Sequence, residues 1–157
     1  MRGPRAAEPS RFEAAQAALA ALSPFAKEAG ADKEPVGYQF QYDLTWAIEY
    51  AKGDMRKGRK CTMHYGFIKG TNAGDGGSVD FWMEPEGLGL ELFFVLNQKK
   101  KDGSFDEAKV LVGLQTEEEA RQAYLDNYPP DLWPKLIDSI VPMTLPQFKK
   151  WVAEDGG

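Results

Sequence analysis

The chain has 157 residues, 43% of them hydrophobic, with a net charge of −5 at pH 7 and a pI of about 5.0. That length suits one globular domain with a real core and is short for two, and the acidic balance argues against a dedicated nucleic-acid binder, which would show a basic face. The single cysteine, Cys61, excludes an internal disulfide and a Cys-rich zinc site, and no apolar run approaches the roughly 20 residues of a membrane span.

With nothing resembling a signal peptide, the expectation is a soluble, cytoplasmic protein with no membrane partner. Residues 1–9 are rich in Pro, Arg and Ala and read as loose. Ser10 and Glu13 have capping-box spacing, and Phe12, Ala15, Leu19 and Leu22 recur at helical intervals before Ser23-Pro24 stops them. Residues 1–35 therefore read as an N-terminal helical arm that covers the main domain, residues 36–157, or joins it to a protein partner.

From Val36 the period changes to that of a strand. Tyr38, Phe40 and Tyr42 alternate with Gln39 and Gln41. Trp46, Ile48 and Tyr50 alternate with Ala47 and Glu49, which puts Glu49 away from the apolar set. Lys52-Gly53-Asp54 reads as a turn, followed by the basic run Arg56 to Lys60. Met63, Tyr65 and Phe67 continue the alternation, and Val79 to Met83 is another strand. Leu90 to Leu96 is apolar enough to be buried on both faces. Lys99 to Gly103 reads as a hairpin loop, with Ala108 to Leu114 the strand after it.

The chain then turns helical. Thr116 with Glu119 is a second capping box, and Pro129-Pro130 ends that helix. A short helix at residues 132–136, a short strand at Ile140-Val141 and a third helix starting at Thr144, with Phe148, Trp151 and Val152 buried, complete the reading. Five or six short strands with peripheral helices predict an α+β domain built on a small antiparallel β-barrel.

The stretch that carries chemistry runs from His64 to Asp80. A strand with Tyr65-Gly66-Phe67-Ile68 enters a glycine-rich turn, and the block Asp75-Gly76-Gly77-Ser78-Val79-Asp80 leads back into a strand. Two acids held by such a turn can converge on one hard cation, because Mg²⁺ prefers carboxylate oxygens and keeps waters for substrate to displace. Downstream, Asp102, Glu107 and Lys109 stand five and then two residues apart before an apolar strand. Alone, that segment reads as a charged hairpin tip. His64 is the only histidine, so neither a zinc site nor a Ser-His-Asp set has support.

These two segments resemble the signature of the family I soluble inorganic pyrophosphatases, and more closely the compact pyrophosphatase-like domains encoded by phages and prophages. In that family Tyr-Gly-(Phe/Tyr)-Ile is followed by Asp-Gly-Asp-Pro-x-Asp. Here Asp75 and Asp80 stand at the outer acid positions, Gly77 at the middle one and Ser78 at the proline. The resemblance implies an OB-like five-stranded barrel and a Mg²⁺-dependent phosphoanhydride hydrolase, with Mn²⁺ as a substitute metal. It assigns Asp75, Asp80, Asp102 and Glu107 to metal, with Asp106 open as a substitute for Glu107. It assigns Lys109 and Tyr65 to pyrophosphate and to catalysis alongside Asp75 and Asp80. Upstream, Glu49, Lys52-Gly53 and Arg56 follow the compact phage-type order, which gives Lys52 and Arg56 to substrate. Arg59 competes for that arginine role, and the basic cluster also reads as a solvated turn. Tyr128 sits where the family often has a Tyr-Lys pair, but Pro129 follows it, so it reads as packing.

A glycine has no side chain to ligate metal or accept a proton, so Gly77 implies either reduced activity or none. Two readings stay open. One is a pyrophosphatase weakened at Gly77. The other is a catalytically degenerate module with a binding or structural role, for example in a phage virion or accessory complex.

Overall fold

A computed structural model of the chain describes residues 33–73, 77–100 and 102–154. The expected arm helix beginning at Ser10 and the acid Asp75 lie outside the described residues. The fold below belongs to the unit Val36–Gly157.

Among the described residues, nine strands and two α-helices follow in order: β1 (Gly37–Gln41), β2 (Leu44–Tyr50), β3 (Met55–Arg56), β4 (Arg59–Lys60), β5 (His64–Ile68), β6 (Val79–Met83), β7 (Leu92–Lys99), β8 (Phe105–Val112), α1 (Glu117–Leu125), β9 (Ile137–Thr144) and α2 (Leu145–Glu154). Short 3-10 segments occupy Pro85–Leu90 and Pro130–Lys135. Seven strands form one sheet in the order β1-β2-β5-β6-β8-β7-β9, and β3 pairs with β4 as a separate ribbon.

The expected closed antiparallel barrel is corrected here. Among the described residues, β1 and β9 are the two edges, and no ladder joins them. The sheet is also mixed, because β6 and β8 run parallel. Parallel neighbours need a crossover, and the chain supplies one through the 3-10 segment and the whole of β7. The result is an α+β arrangement around an open sheet.

Both faces of this sheet are packed. Adjacent strand residues point to opposite sides, so Phe93 enters one core with Trp46, Ile68 and Phe81, while Phe94 enters the other with Trp82, Leu96 and Leu111. Helix α2 covers the first core, with Phe148 stacked on Phe93 at 4.3 Å between ring centres. Helix α1 covers the second through Ala120, Tyr124 and Leu125. Both helices start where the sequence places them. The Thr116 hydroxyl accepts the Glu119 N–H, and the Thr144 and Gln147 side chains each accept the other's backbone N–H.

Three local departures follow from pairing that the alternation alone does not reveal. Strand β1 is an edge strand and turns Tyr38 and Phe40 outward, with Phe40 74% exposed. Tyr42 serves the core instead. It sits at positive φ in the β1–β2 turn and sets its ring edge-on to Phe93 at 5.0 Å. Glu49 lies outside the core cluster of Trp46 and Ile48, as the alternation expects, yet it is buried, beside a slip of the β2–β5 register between Ile48 and Tyr50. The short strand expected at Ile140-Val141 is eight residues long, paired along β7. Trp46, Phe81 and Trp82 are fully buried, so they present no face for stacking bases.

Candidate active site

The site lies on the face of the sheet that carries Trp82. Gly66 lets its strands approach. A Cβ there would lie 1.8 Å from the Ala47 carbonyl oxygen, so only glycine permits β5 to lie this close to β2. Tyr65 is then the Cα partner of Trp82 on β6, and Asp80 is the Cα partner of Lys109 on β8. Residues far apart in sequence meet because both ladders share β6.

The Tyr65 hydroxyl donates to Asp80 Oδ2 at 2.9 Å and accepts from the Lys109 ammonium at 3.1 Å. That ammonium lies 3.2 Å from Asp80 Oδ2 and 3.6 Å from Glu107 Oε1. Burial raises the Tyr65 pKa well above the ordinary phenol value, outweighing Lys109 and Arg56, so Tyr65 stays a proton donor. Burial works against the charge of Lys109, but Tyr65, Tyr128, Asp80 and Glu107 more than offset it, and its pKa is held well above the ordinary lysine value.

Arg56 reaches the same group from the β3–β4 ribbon. Its hairpin turns through Lys57 and Gly58, both at positive φ as a two-residue turn requires. The guanidinium carbon stands 4.0 Å from the Tyr65 ring centre, 5.6 Å from that of Trp82 and 6.0 Å from that of Tyr50. Of the two arginines left open by the sequence, Arg56 is the one placed over Tyr65. Burial opposes its charge, yet Tyr65, Tyr128, Tyr50 and Cys61 leave its pKa raised, so it is a cation throughout. Cys61 beside it is buried and its pKa is pushed up to about 11, which keeps it an inert thiol.

The other sequence-derived residues are placed as follows. Lys52 Nζ lies 2.9 Å from Glu84 Oε1, and its backbone N–H donates to His64 Nδ1 at 2.8 Å. Asp102 accepts from the Ser104 N–H and hydroxyl inside its own exposed turn, and those bonds lower its pKa. Asp106 accepts from Gln98, leaving Glu107 as the acid beside Lys109. Tyr128 packs against Tyr124 and Trp82. Gly77 is exposed, and its carbonyl accepts the Ala73 N–H. Asp75 lies outside the described residues.

Sequence reasoning missed the place of Trp82 beside Arg56. The available signal was its spacing two residues after Asp80 on one strand, which puts both side chains on one face.

Among the described residues, no group of three or more His, Cys, Asp or Glu side chains converges as a metal site. Asp80 Oδ2 and Glu107 Oε1 lie 3.2 Å and 3.6 Å from the same Lys109 ammonium. Two hard oxygen ligands suit Mg²⁺, which is held by one or two carboxylates together with waters and phosphate.

The domain is a mixed β-sheet with two acids, a lysine, a tyrosine and an arginine gathered on one face. The family model described as Inorganic Pyrophosphatase matches residues 25–153. The chain belongs to the inorganic pyrophosphatase family. No curated protein and no solved structure matches it. Among the described residues, no helix is long and apolar enough to cross a membrane.

Proposed function

We propose that this chain is a Mg²⁺-dependent hydrolase of pyrophosphate or a related phosphoanhydride, slowed by Gly77. The observation that carries the reading is the cluster of Tyr65, Asp80, Glu107 and Lys109 on one face of the sheet, in a chain of this family. Asp80 and Glu107, with Asp75, would hold Mg²⁺, and Mn²⁺ would substitute. Bound there, the metal supplies charge neutralisation and a bound water of lowered pKa. Lys109 binds a phosphate oxygen as a point charge, and Arg56 does so as a two-pronged donor. Tyr65, held protonated, donates a hydrogen bond to the same anion. Lys52 joins only when it leaves Glu84, and Asp102 only when it leaves Ser104. Phosphate release from pyrophosphate with Mg²⁺, compared with Asp75→Ala, tests the reading. Equal background rates in the two would remove it.

A second reading is favoured by Gly77 at the middle acid position and by the capture of Asp102 within its own turn. It is a degenerate module in which the cluster survives as structure, with a binding role of the phage-accessory kind and a protein partner met through residues 1–35. It requires no hydrolysis at any Mg²⁺ or Mn²⁺ concentration, and none restored in Gly77→Asp.

A further inference from the structure

Arg56 is half-buried and is held in an unusual way for an arginine in such a site. Among the described residues, no carboxylate lies within ion-pair distance of its guanidinium, whereas Lys109 in the same site has two. Its electrostatic neighbours are three phenols and a thiol, Tyr65, Tyr128, Tyr50 and Cys61. Its contacts are instead ring faces, with Tyr65 nearest and Trp82 next. Trp82 is 0% exposed, lies 4.5 Å from Tyr65 between ring centres, and has an indole N–H with no hydrogen-bond partner among the described residues. A buried orphan donor costs stability that an apolar residue would not. The indole is therefore not there for its N–H, and its use lies in its large π face.

Arg56 also arrives on the β3–β4 ribbon, which shares no ladder with the seven-stranded sheet. The aromatic contacts link its side chain to that sheet at the site. A guanidinium carried on a ring face keeps its in-plane N–H groups available, whereas one paired with a carboxylate uses two of them.

We infer that Trp82 is a positioning residue for Arg56: with Tyr65 and Tyr50 it forms an aromatic cradle that holds the guanidinium in place of a carboxylate, leaving its N–H fork open for the phosphate of pyrophosphate. The inference rests on Arg56 being a substrate ligand. The cradle resolves a conflict between two demands. A carboxylate partner would fix the arginine but compete with the anion. A solvated arginine would be free but would lose side-chain entropy on binding.

The test is a double-mutant cycle on the full chain, with pyrophosphate affinity read by calorimetry, KM and kcat read by phosphate release, and unfolding followed in parallel. Trp82→Leu keeps apolar volume but loses the π face. It is expected to weaken pyrophosphate binding roughly five- to tenfold and to raise KM more than it lowers kcat. Trp82→Phe keeps a ring and should recover most of that affinity. In an Arg56→Lys background, Trp82→Leu should cost less than twofold further, because its partner is gone. Affinity losses that multiply independently in the cycle, or a Trp82→Leu protein that is less stable but binds pyrophosphate unchanged, overturn the cradle while leaving Arg56 as a ligand. Unchanged affinity in Arg56→Lys itself, or no pyrophosphate binding by the wild-type chain, overturns the substrate role of Arg56 and the cradle with it.

Discussion

Lys109 stands between Asp80 and Glu107, its ammonium 3.2 Å from one carboxylate and 3.6 Å from the other. Asp80 is its Cα partner across the parallel β6–β8 ladder, and Glu107 lies two residues before it on its own strand. One cation thus compensates two acids, Glu107 buried and Asp80 partly exposed, and the arrangement makes each member depend on the others.

Lys109→Met leaves the two carboxylates facing each other with that cation removed. The Glu107 side chain is 9% exposed and that of Asp80 21%, so water screens only part of the repulsion. The expected cost is about 3 kcal/mol of folding stability, measured by urea unfolding at pH 7. Adding Mg²⁺ should restore part of it, because a divalent cation compensates the same oxygens. A variant as stable as wild type without metal would contradict the pairing.

Gly66→Ala tests the close approach of β5 to β2. A Cβ at this position meets the Ala47 carbonyl oxygen at 1.8 Å, and both partners are backbone, so neither can turn away. The expected loss is about 3 kcal/mol or more, with the strands forced apart at Tyr65. Near-wild-type stability would mean that the ladder is looser than described.

His64 gives a pH dependence whose sign is fixed. Burial lowers its pKa below the ordinary imidazole value despite Glu84 nearby, and its Nδ1 accepts the Lys52 N–H, which only an unprotonated nitrogen can do. The unfolded chain then binds more protons than the folded one between the folded pKa and about 6.5, so stability rises with pH through that window and is lost as pH falls through it. Unfolding at pH 7 and pH 5 should show a larger loss for wild type than for His64→Gln. Equal losses in the two would remove His64 as the source.

Gly77→Asp restores an acid between Asp75 and Asp80 in the central turn. If the rest of the site is competent, pyrophosphate hydrolysis should rise roughly tenfold or more, in line with what a positioned acid or base contributes. No change would point to the non-catalytic reading.

Much of this was legible in the sequence, for identifiable reasons. The Tyr65, Asp80, Glu107 and Lys109 set was legible through the resemblance of its two motifs to the pyrophosphatase family, and the capping residues Thr116 and Thr144 mark their helices directly. Residue 75 belongs to the same motif but lies outside the described residues. What did not show was long-range pairing. The parallel β6–β8 ladder, the open sheet and the outward turn of Phe40 depend on which strand lies next to which, and alternation is the same in either case. Strand β9 was underestimated because Ser139 and Pro142 interrupt its apolar pattern, while β7 supplies the partner that makes it a strand. The place of Arg56 depended on a separate two-stranded ribbon that no periodicity announces.

The most direct measurement is phosphate release from pyrophosphate with Mg²⁺, comparing wild type with Asp80→Ala under conditions where both are folded. The account expects release above background in wild type and at least a roughly hundredfold drop in the variant. Equal rates in the two proteins, or no release by wild type at any Mg²⁺ concentration, would contradict it.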